Sequence, residues 1–138
     1  MTNHTPQIIR RQSRKIMVGN VAVGGDAPIT VQSMTNTLTS DAKATIEQIQ
    51  RQEAAGCDIT RCSCPDEDSA RALKAITKAV NIPVVADIHF DYKAALACAD
   101  VGVDKIRINP GNIGDDDRVK AVVQACQQKN CLLYTSDA

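Results

Sequence analysis

Short apolar runs alternate along the chain with longer stretches that carry apolar residues at helical spacing. Continuous apolar runs are typical of buried strands, whereas amphipathic helices repeat apolar residues every three to four positions. The pattern predicts a β-hairpin at residues 15–23, with a two-residue turn at Gly19 and Asn20. It then predicts four βα units, and we expect their strands to be buried. These strands are predicted at residues 29–34, 58–62, 84–88 and 105–109.

Polar caps mark the ends of the intervening helices. Residues 39–41 offer an N-cap for the first helix, and Gly56 follows its end. The second helix opens on an acidic cluster at residues 66–68, and the third is predicted at residues 92–101 before Gly102. The fourth carries the clearest apolar stripe, at positions i, i+3, i+4 and i+7. Its members are Val119, Val122, Val123 and Cys126.

Strands that alternate with helices indicate an α/β protein with right-handed crossovers and a parallel sheet. A doubly wound sheet and a barrel both fit this order. No G-x-G-x-x-G sequence follows a strand, whereas polar residues cluster where the strands end, as in a barrel active site. A complete barrel needs about 250 residues, and the chain has 138. We therefore predict the N-terminal half of a (β/α)8 TIM barrel, with four parallel βα units preceded by a β-hairpin.

Composition narrows the function classes. The net charge is zero, so we expect no nucleic-acid or membrane partner, and a basic cluster at residues 10–15 is interpreted as a solvated segment. No signal peptide or transmembrane run is visible, which predicts a cytoplasmic protein. The six cysteines are then reduced thiols, and their spacing predicts no metal site.

The polar residues at the predicted strand ends suggest a pocket for a small, doubly anionic ligand. Arg61 and Arg107 offer forked cationic donors to phosphate oxygens. Amides and a hydroxyl add neutral hydrogen-bonding groups. These predicted substrate-binding residues are Asn109, Asn112, Ser33 and Asn36. Residues 110–114 are predicted to form the loop after the fourth strand, and the backbone N–H groups exposed by its Pro-Gly-Asn sequence, near the start of the fourth helix, also favour an anion.

Asp87 and His89 are the candidate catalytic residues. They are two positions apart on one strand and therefore lie on one face, where they could transfer protons or bind ligand hydroxyls. Structural roles remain open for both. Asp87 could cap the third helix or pair with Arg61, and His89 could be a packed loop residue.

Three strings resemble the 4-hydroxy-3-methylbut-2-en-1-yl diphosphate synthase family. They are VGNVAVGGDAPITVQSMTNT at residues 18–37, VADIHFDY at 85–92 and KIRINPGNIG at 105–114. The resemblance implies a TIM barrel that binds 2-C-methyl-D-erythritol 2,4-cyclodiphosphate. It further implies that this cyclic diphosphate is reduced by two electrons from flavodoxin or ferredoxin, which opens the ring and removes a hydroxyl as water. It also implies an oxidoreductase of isoprenoid biosynthesis that is a homodimer. A second, C-terminal domain of the family holds a 4Fe-4S cluster through three Cys and one Glu.

The chain departs from this family in two respects. None of its six cysteines matches a cluster ligand and the C-terminal iron–sulfur domain is absent, so we expect no cluster and no synthase activity from this polypeptide alone. The family also continues with a fifth strand, whereas residues 131–138 read CLLYTSDA, which resembles a translated sequencing adaptor. We therefore predict an N-terminal segment at residues 1–14, the barrel part at 15–130 and a non-native tail at 131–138.

Two other functions fit the same residues. A different phosphate-binding barrel, such as a pterin-using synthase, would share the fold and the anion contacts without a redox cluster. A stand-alone ligand-binding module is the alternative that is not an enzyme. Its open sheet edges would favour self-association.

Overall fold

The computed structural model describes residues 7–135, which form a parallel α/β sheet with a separate hairpin. The strands are β1 (Ile16–Val18), β2 (Val21–Val23), β3 (Gln32–Met34), β4 (Ile59–Ser63), β5 (Val84–Asp87), β6 (Lys105–Ile108) and β7 (Leu132–Thr135). The helices are α1 (Ala42–Ala54), α2 (Glu67–Ala79), α3 (Tyr92–Val101), α4 (Pro110–Ile113) and α5 (Asp116–Gln128).

The predicted hairpin is confirmed. Strands β1 and β2 pair antiparallel through a turn in which Gly19 has a φ of 55° and Asn20 has no positive φ, the sign pattern of a type II′ turn. Val18 at the end of β1 is 1% exposed and packs with Ile59 and Val85 of the large sheet. The hairpin therefore covers the beginning of β4 and β5 on one face of that sheet.

Five strands make the large sheet, in the order β3-β4-β5-β6-β7, and all neighbours are parallel. The order follows the chain without a reversal, whereas a doubly wound sheet reverses direction at its switch point. The sequential order is that of a barrel wall, and the sheet is open, with β3 and β7 at its edges. The predicted fold, part of a TIM barrel, is confirmed.

Side chains alternate between the two faces of the sheet. One face packs against the helices and carries Cys62, Ala86, Ile106 and Ile108, all fully buried in the main apolar core. The opposite, inner face carries charged residues of β4, β5 and β6 instead. Because the helix-facing side holds the core, the inner face is the one left to bind a ligand.

The first predicted strand is corrected in length and burial. Only Gln32–Met34 pairs as a strand, and Ile29 and Val31 are 94% and 57% exposed. This strand lies at the sheet edge, so no strand of the described residues covers its outer side. An apolar run predicted buried is therefore exposed, because its burial depends on a neighbour and not on its own sequence.

The end of the described chain adds a strand to the sheet. Leu132–Thr135 does continue the fold as the parallel strand β7, and Leu133 packs against the main core. The amide of Leu132 donates to the Asp104 carbonyl at 3.1 Å, which fixes the register beside β6. Residues 136–138 of the predicted tail and residues 1–6 of the N-terminal segment lie outside the described residues. The non-native origin of the tail stays a prediction.

Four aspartates start the helices that follow the strands. Asp41, Asp66, Asp91 and Asp115 are the N-caps of α1, α2, α3 and α5, and each side chain accepts a backbone N–H of the first turn. The predicted third helix is confirmed at Tyr92–Val101, ended by Gly102 with a φ of 90°. The predicted loop after the fourth strand is instead the short helix α4.

Candidate functional site

A buried carboxylate joins two arginines on the inner face of the sheet. Asp87, 1% exposed, accepts hydrogen bonds from Arg61 Nε at 3.0 Å and from Arg107 Nη1 at 2.9 Å. Arg61 also donates through Nη2 to the same carboxylate oxygen, Asp87 Oδ2. The two guanidinium groups use different carboxylate oxygens, so Asp87 holds both at fixed positions. We call Arg61, Asp87 and Arg107 the inner-face triad.

The strand register explains this contact. Asp87 lies opposite Arg107 on β6 and opposite Ser63 on β4, so all three side chains point to the same face. Arg61 is two positions before Ser63 and therefore on that face too. Two structural roles were open for Asp87. The pairing with Arg61 is observed, whereas the N-cap of α3 is Asp91 and not Asp87.

His89 adjoins the triad through Ser63. The His89 Nε2 and Ser63 Oγ atoms are 2.8 Å apart, and either can be the donor, depending on the histidine tautomer. Because Ser63 also faces Asp87 across the sheet, His89 lies on the triad side of the strand end. The hydrogen bond to Ser63 holds the imidazole ring at the end of β5.

The inner face encloses a cavity of about 360 Å³. It is lined by Gln32, Arg61, Val85, Lys105, Arg107 and Tyr134. Lys105, Gln32, Tyr134 and Ser63 are absent from the predicted site residues. The period of two along a strand puts Lys105 on the same face as Arg107, so this spacing could have identified Lys105 from the sequence. No sequence signal pointed to Tyr134, because it belongs to a segment that was not assigned to the fold.

Positive charge exceeds negative charge in this cavity. Lys105, Arg61 and Arg107 contribute three cations, and Asp87 is the carboxylate that pairs with the two arginines. Burial, and secondly repulsion from Arg61, lowers the pKa of Lys105. The inner face therefore offers a partly buried cationic surface, which matches a doubly anionic ligand.

Asn109 and Asn112 lie where β6 leads into α4. Asn109 is the N-cap of α4, its side-chain oxygen accepting from the Gly111 amide at 3.0 Å. The amide of Asn112 donates to the Asn109 carbonyl at 2.9 Å, and the residue is exposed. Asn109 is two residues after Arg107 and Asn112 is five residues after it. The side-chain oxygen of Asn109 is already engaged by the Gly111 amide at the start of α4.

The start of α5, the predicted fourth helix, is occupied by acidic side chains. Asp115 caps α5 with its own carboxylate, which accepts from the Arg118 amide at 3.0 Å. Asp116 and Asp117 occupy the first turn. Three carboxylates satisfy the helix dipole there and repel a further negative charge.

Ser33 and Asn36 contact α1 in the structure. Ser33 lies opposite Thr60, whose hydroxyl donates to Gln52 of α1, so Ser33 points toward the helices. Gln52 also donates to Ser33 Oγ at 3.5 Å. The Asn36 side chain accepts from Gln48 Nε2 at 2.9 Å. The structure thus brings Arg61, Asp87, Arg107 and His89 together, and places Ser33 and Asn36 against a helix.

The cysteines do not fit an iron–sulfur cluster. All six are buried, and the Sγ atoms of Cys64 and Cys98 lie 3.4 Å apart between β4 and α3. Across residues 7–135 no group of three or more Cys, His, Asp or Glu side chains is placed to hold a metal ion. Cys62 is also unsuited to bind a metal, because burial raises the pKa of its thiol and disfavours the thiolate form that acts as a ligand. In the same part of the chain, no helix is long and apolar enough to cross a bilayer.

Known proteins agree with the fold and the motifs. Residues 13–134 match the family described as GcpE TIM-barrel domain, which extends four residues into the predicted tail. The chain is 65% identical over 123 residues to a Pseudomonas aeruginosa protein and 61% identical over 126 residues to one of Zymomonas mobilis. A Gluconobacter oxydans protein is 60% identical over 135 residues, 96% of this chain.

All three relatives are named 4-hydroxy-3-methylbut-2-en-1-yl diphosphate synthase (flavodoxin). The matched region covers 89% of this chain for the Pseudomonas protein and 91% for the Zymomonas protein, but 33% of each relative. The chain therefore spans about a third of the length of these curated relatives. The match over residues 13–134, the sequential parallel sheet and the identities above show that this chain belongs to the GcpE TIM-barrel domain family.

Proposed function

We propose that this chain supplies the substrate-binding part of a 4-hydroxy-3-methylbut-2-en-1-yl diphosphate synthase. The substrate would be 2-C-methyl-D-erythritol 2,4-cyclodiphosphate, whose ring opens on reductive loss of a hydroxyl as water. One observation carries the proposal: the buried Asp87 carboxylate holds two guanidinium groups on the inner face of a barrel wall. The names of the relatives support the reaction.

In this function the arginines bind the diphosphate. A guanidinium group presents paired N–H donors that match phosphate oxygens. Arg61 and Arg107 use some of their N–H donors to bind Asp87, and their side chains remain 32% and 22% exposed toward the cavity. Asp87 acts as a positioning residue, because both of its oxygens accept from arginines. Ligand binding then requires little reorganisation of the cations.

His89 is the group we assign to proton transfer or to binding a ligand hydroxyl. Its hydrogen bond to Ser63 orients the ring at the strand end beside the triad. Asn109 and Asn112 would add amide contacts where the chain leaves β6. Ser33 and Asn36 would reach the ligand only by exchanging their contacts with α1, so they rank below the other proposed binding residues.

The redox partners belong to the same proposal. Flavodoxin, named with the relatives, is the proposed electron donor, and ferredoxin is the alternative. A homodimer and a 4Fe-4S cluster are properties that the family resemblance implies for the full-length enzyme. The thiols of residues 7–135 do not fit a cluster, so no step is assigned to them.

Calorimetric titration of the 138-residue chain with the cyclic diphosphate tests the proposal. We expect Arg107→Ala to weaken binding about tenfold or more, because one charge-assisted bond is lost. The matched control is Arg71→Ala, which removes an exposed guanidinium on α2 that pairs with Asp68. Equal affinities of the wild type and Arg107→Ala contradict the proposed site. A preference for a pterin over the cyclic diphosphate supports the rival synthase.

A further inference from the structure

Of the three cations that line the inner-face cavity within residues 7–135, Lys105 is the one that has no ion pair with Asp87. Asp87 pairs with Arg61 and Arg107. Among residues 7–135, no carboxylate oxygen lies within 4.0 Å of Lys105 Nζ, although the ammonium group lines the same cavity. The positive charge of Lys105 is therefore less compensated than those of Arg61 and Arg107, which favours its contact with an incoming anion.

The position of Lys105 is fixed by the strands around it. It lies opposite Val85 on β5 and opposite Leu132 on β7, one inward-facing position before Arg107. Its side chain is half-buried, with apolar neighbours on both adjacent strands. The lowered pKa that burial causes agrees with this setting, in which the charged form lacks a counter-ion.

The ring of Tyr134 contacts Lys105 without accepting a hydrogen bond from its ammonium group through an oxygen. Lys105 Nζ lies 4.7 Å from the centroid of the Tyr134 ring, within the range of a cation–π interaction. A ring face attracts the charge but accepts none of the three ammonium N–H bonds in the manner of an oxygen. Tyr134 therefore orients Lys105 without supplying the anionic oxygen that its donors require.

We propose that Lys105 is a further anion-binding residue, which with Arg61 and Arg107 forms a subsite for the oxygens of a diphosphate group. The subsite extends the proposed diphosphate site from the strand ends into the wall, one inward position before Arg107 along β6. This inference rests on the proposed function and deepens it. It predicts that a diphosphate contacts three cations and not only the two arginines.

Inorganic pyrophosphate is the probe that tests Lys105 apart from the organic part of a substrate. We expect Lys105→Met to weaken pyrophosphate binding to the 138-residue chain about tenfold, and Lys105→Arg to retain most of the affinity. The matched control Lys120→Met removes an exposed cation from α5 and leaves the affinity unchanged. If Lys105 only packs against Tyr134, Lys105→Met changes the unfolding free energy but not pyrophosphate affinity, and the proposal is overturned.

A second measurement needs no variant that might alter the fold. The side-chain NMR signal of Lys105 in the wild-type chain should shift as pyrophosphate saturates the site, whereas that of Lys120 should not. An unshifted Lys105 signal at saturation overturns the proposal even where Lys105→Met fails to fold.

The cyclic diphosphate, titrated in parallel, separates this inference from the proposed function. Binding of pyrophosphate that depends on Lys105, without binding of the cyclic compound, supports the subsite and contradicts the proposed substrate. Binding of the cyclic compound that Lys105→Met leaves unchanged supports the proposed function and overturns the role of Lys105.

Discussion

Arg61 reaches Asp87 diagonally across two neighbouring strands. The residue of β4 directly opposite Asp87 is Ser63, and Arg61 lies two positions earlier, yet Arg61 Nε is 3.0 Å from Asp87 Oδ2. Diagonal neighbours in a sheet are within reach of long side chains. The contact leaves the other oxygen of Asp87 for Arg107, so one carboxylate links β4, β5 and β6 on the inner face.

Removing the charge of Asp87 should destabilise the fold. In Asp87→Asn, two adjacent guanidinium groups lose their shared counter-ion, and we expect the unfolding free energy to fall by about 2 kcal/mol. The value is below that of a fully buried pair, because Arg61 and Arg107 keep some solvent contact. Urea unfolding measures the difference.

Asp100→Asn is the control for this change. Asp100 pairs with Lys129 at 3.3 Å, and both side chains are at least half exposed. Its removal should cost less than about 1 kcal/mol, as for other surface ion pairs. Equal losses for Asp87→Asn and Asp100→Asn would show that the triad contributes no more than a surface contact.

The geometry of Arg61 predicts that lysine is a poor replacement. Arg61 donates to Asp87 Oδ2 through both Nε and Nη2, and an ammonium group cannot reproduce this forked contact. We expect Arg61→Lys to lower the unfolding free energy by about 1 kcal/mol. Arg71→Lys, at an exposed pair with Asp68, should change it little. A stability of Arg61→Lys equal to the wild type argues against the forked contact.

The buried thiol of Cys62 predicts a loss of stability in alkali. Burial raises its pKa above the ordinary value of 9.0, so above that pH the folded chain binds more protons than the unfolded chain. The stabilising contribution is complete below pH 9.0 and is lost as the pH rises through the raised pKa.

Urea unfolding at a series of alkaline pH values measures this slope. Cys62→Ala removes the titrating group, so its unfolding free energy should fall less steeply with pH than that of the wild type. The absolute stability of the variant will be lower, because the substitution leaves a cavity in the core. Parallel pH curves for the two proteins would exclude Cys62 as the source of the slope.

The exposed edge at β3 predicts self-association. Val31 is 57% exposed directly before an edge strand, and an uncovered apolar edge is a template for pairing with another chain. Val31→Lys should reduce the concentration-dependent association of the chain in sedimentation velocity. Leu38→Lys is the matched control, since Leu38 is 78% exposed but lies in the loop before α1. Equal effects of both variants would point to general solubility and not to the edge.

Local sequence predicted most of the elements. The limits of α3 follow from Asp91 and Gly102, whose side-chain chemistry and backbone freedom act within one helical turn. The same holds for the hairpin, whose turn requires a positive φ that Gly19 supplies. Asp87 ends β5, whereas Arg61 and Arg107 lie within β4 and β6. The shared face of these side chains follows from the period of two, which is a property of each strand alone.

The errors arose where structure depends on distant neighbours. The pattern of Ile29 and Val31 is that of a buried strand, but burial requires a covering strand that the described chain does not supply. Residues 132–135 were not assigned to the sheet, yet backbone pairing with β6 accepts many sequences, and Leu133 fills the core. The orientation of Ser33 toward α1 was likewise invisible in its own segment, because it depends on the register with β4.

The sequence by itself determined the alternation of strands and helices, the caps and the identity of the charged residues at the strand ends. Only the tertiary structure decided that Asp87 serves two arginines at once and that Lys105 has Tyr134 as its neighbour. The physical reason is that periodicity and capping act over a few residues, whereas charge compensation depends on which strands lie side by side. The balance of charge in the candidate site is therefore a property of the sheet and not of any single segment.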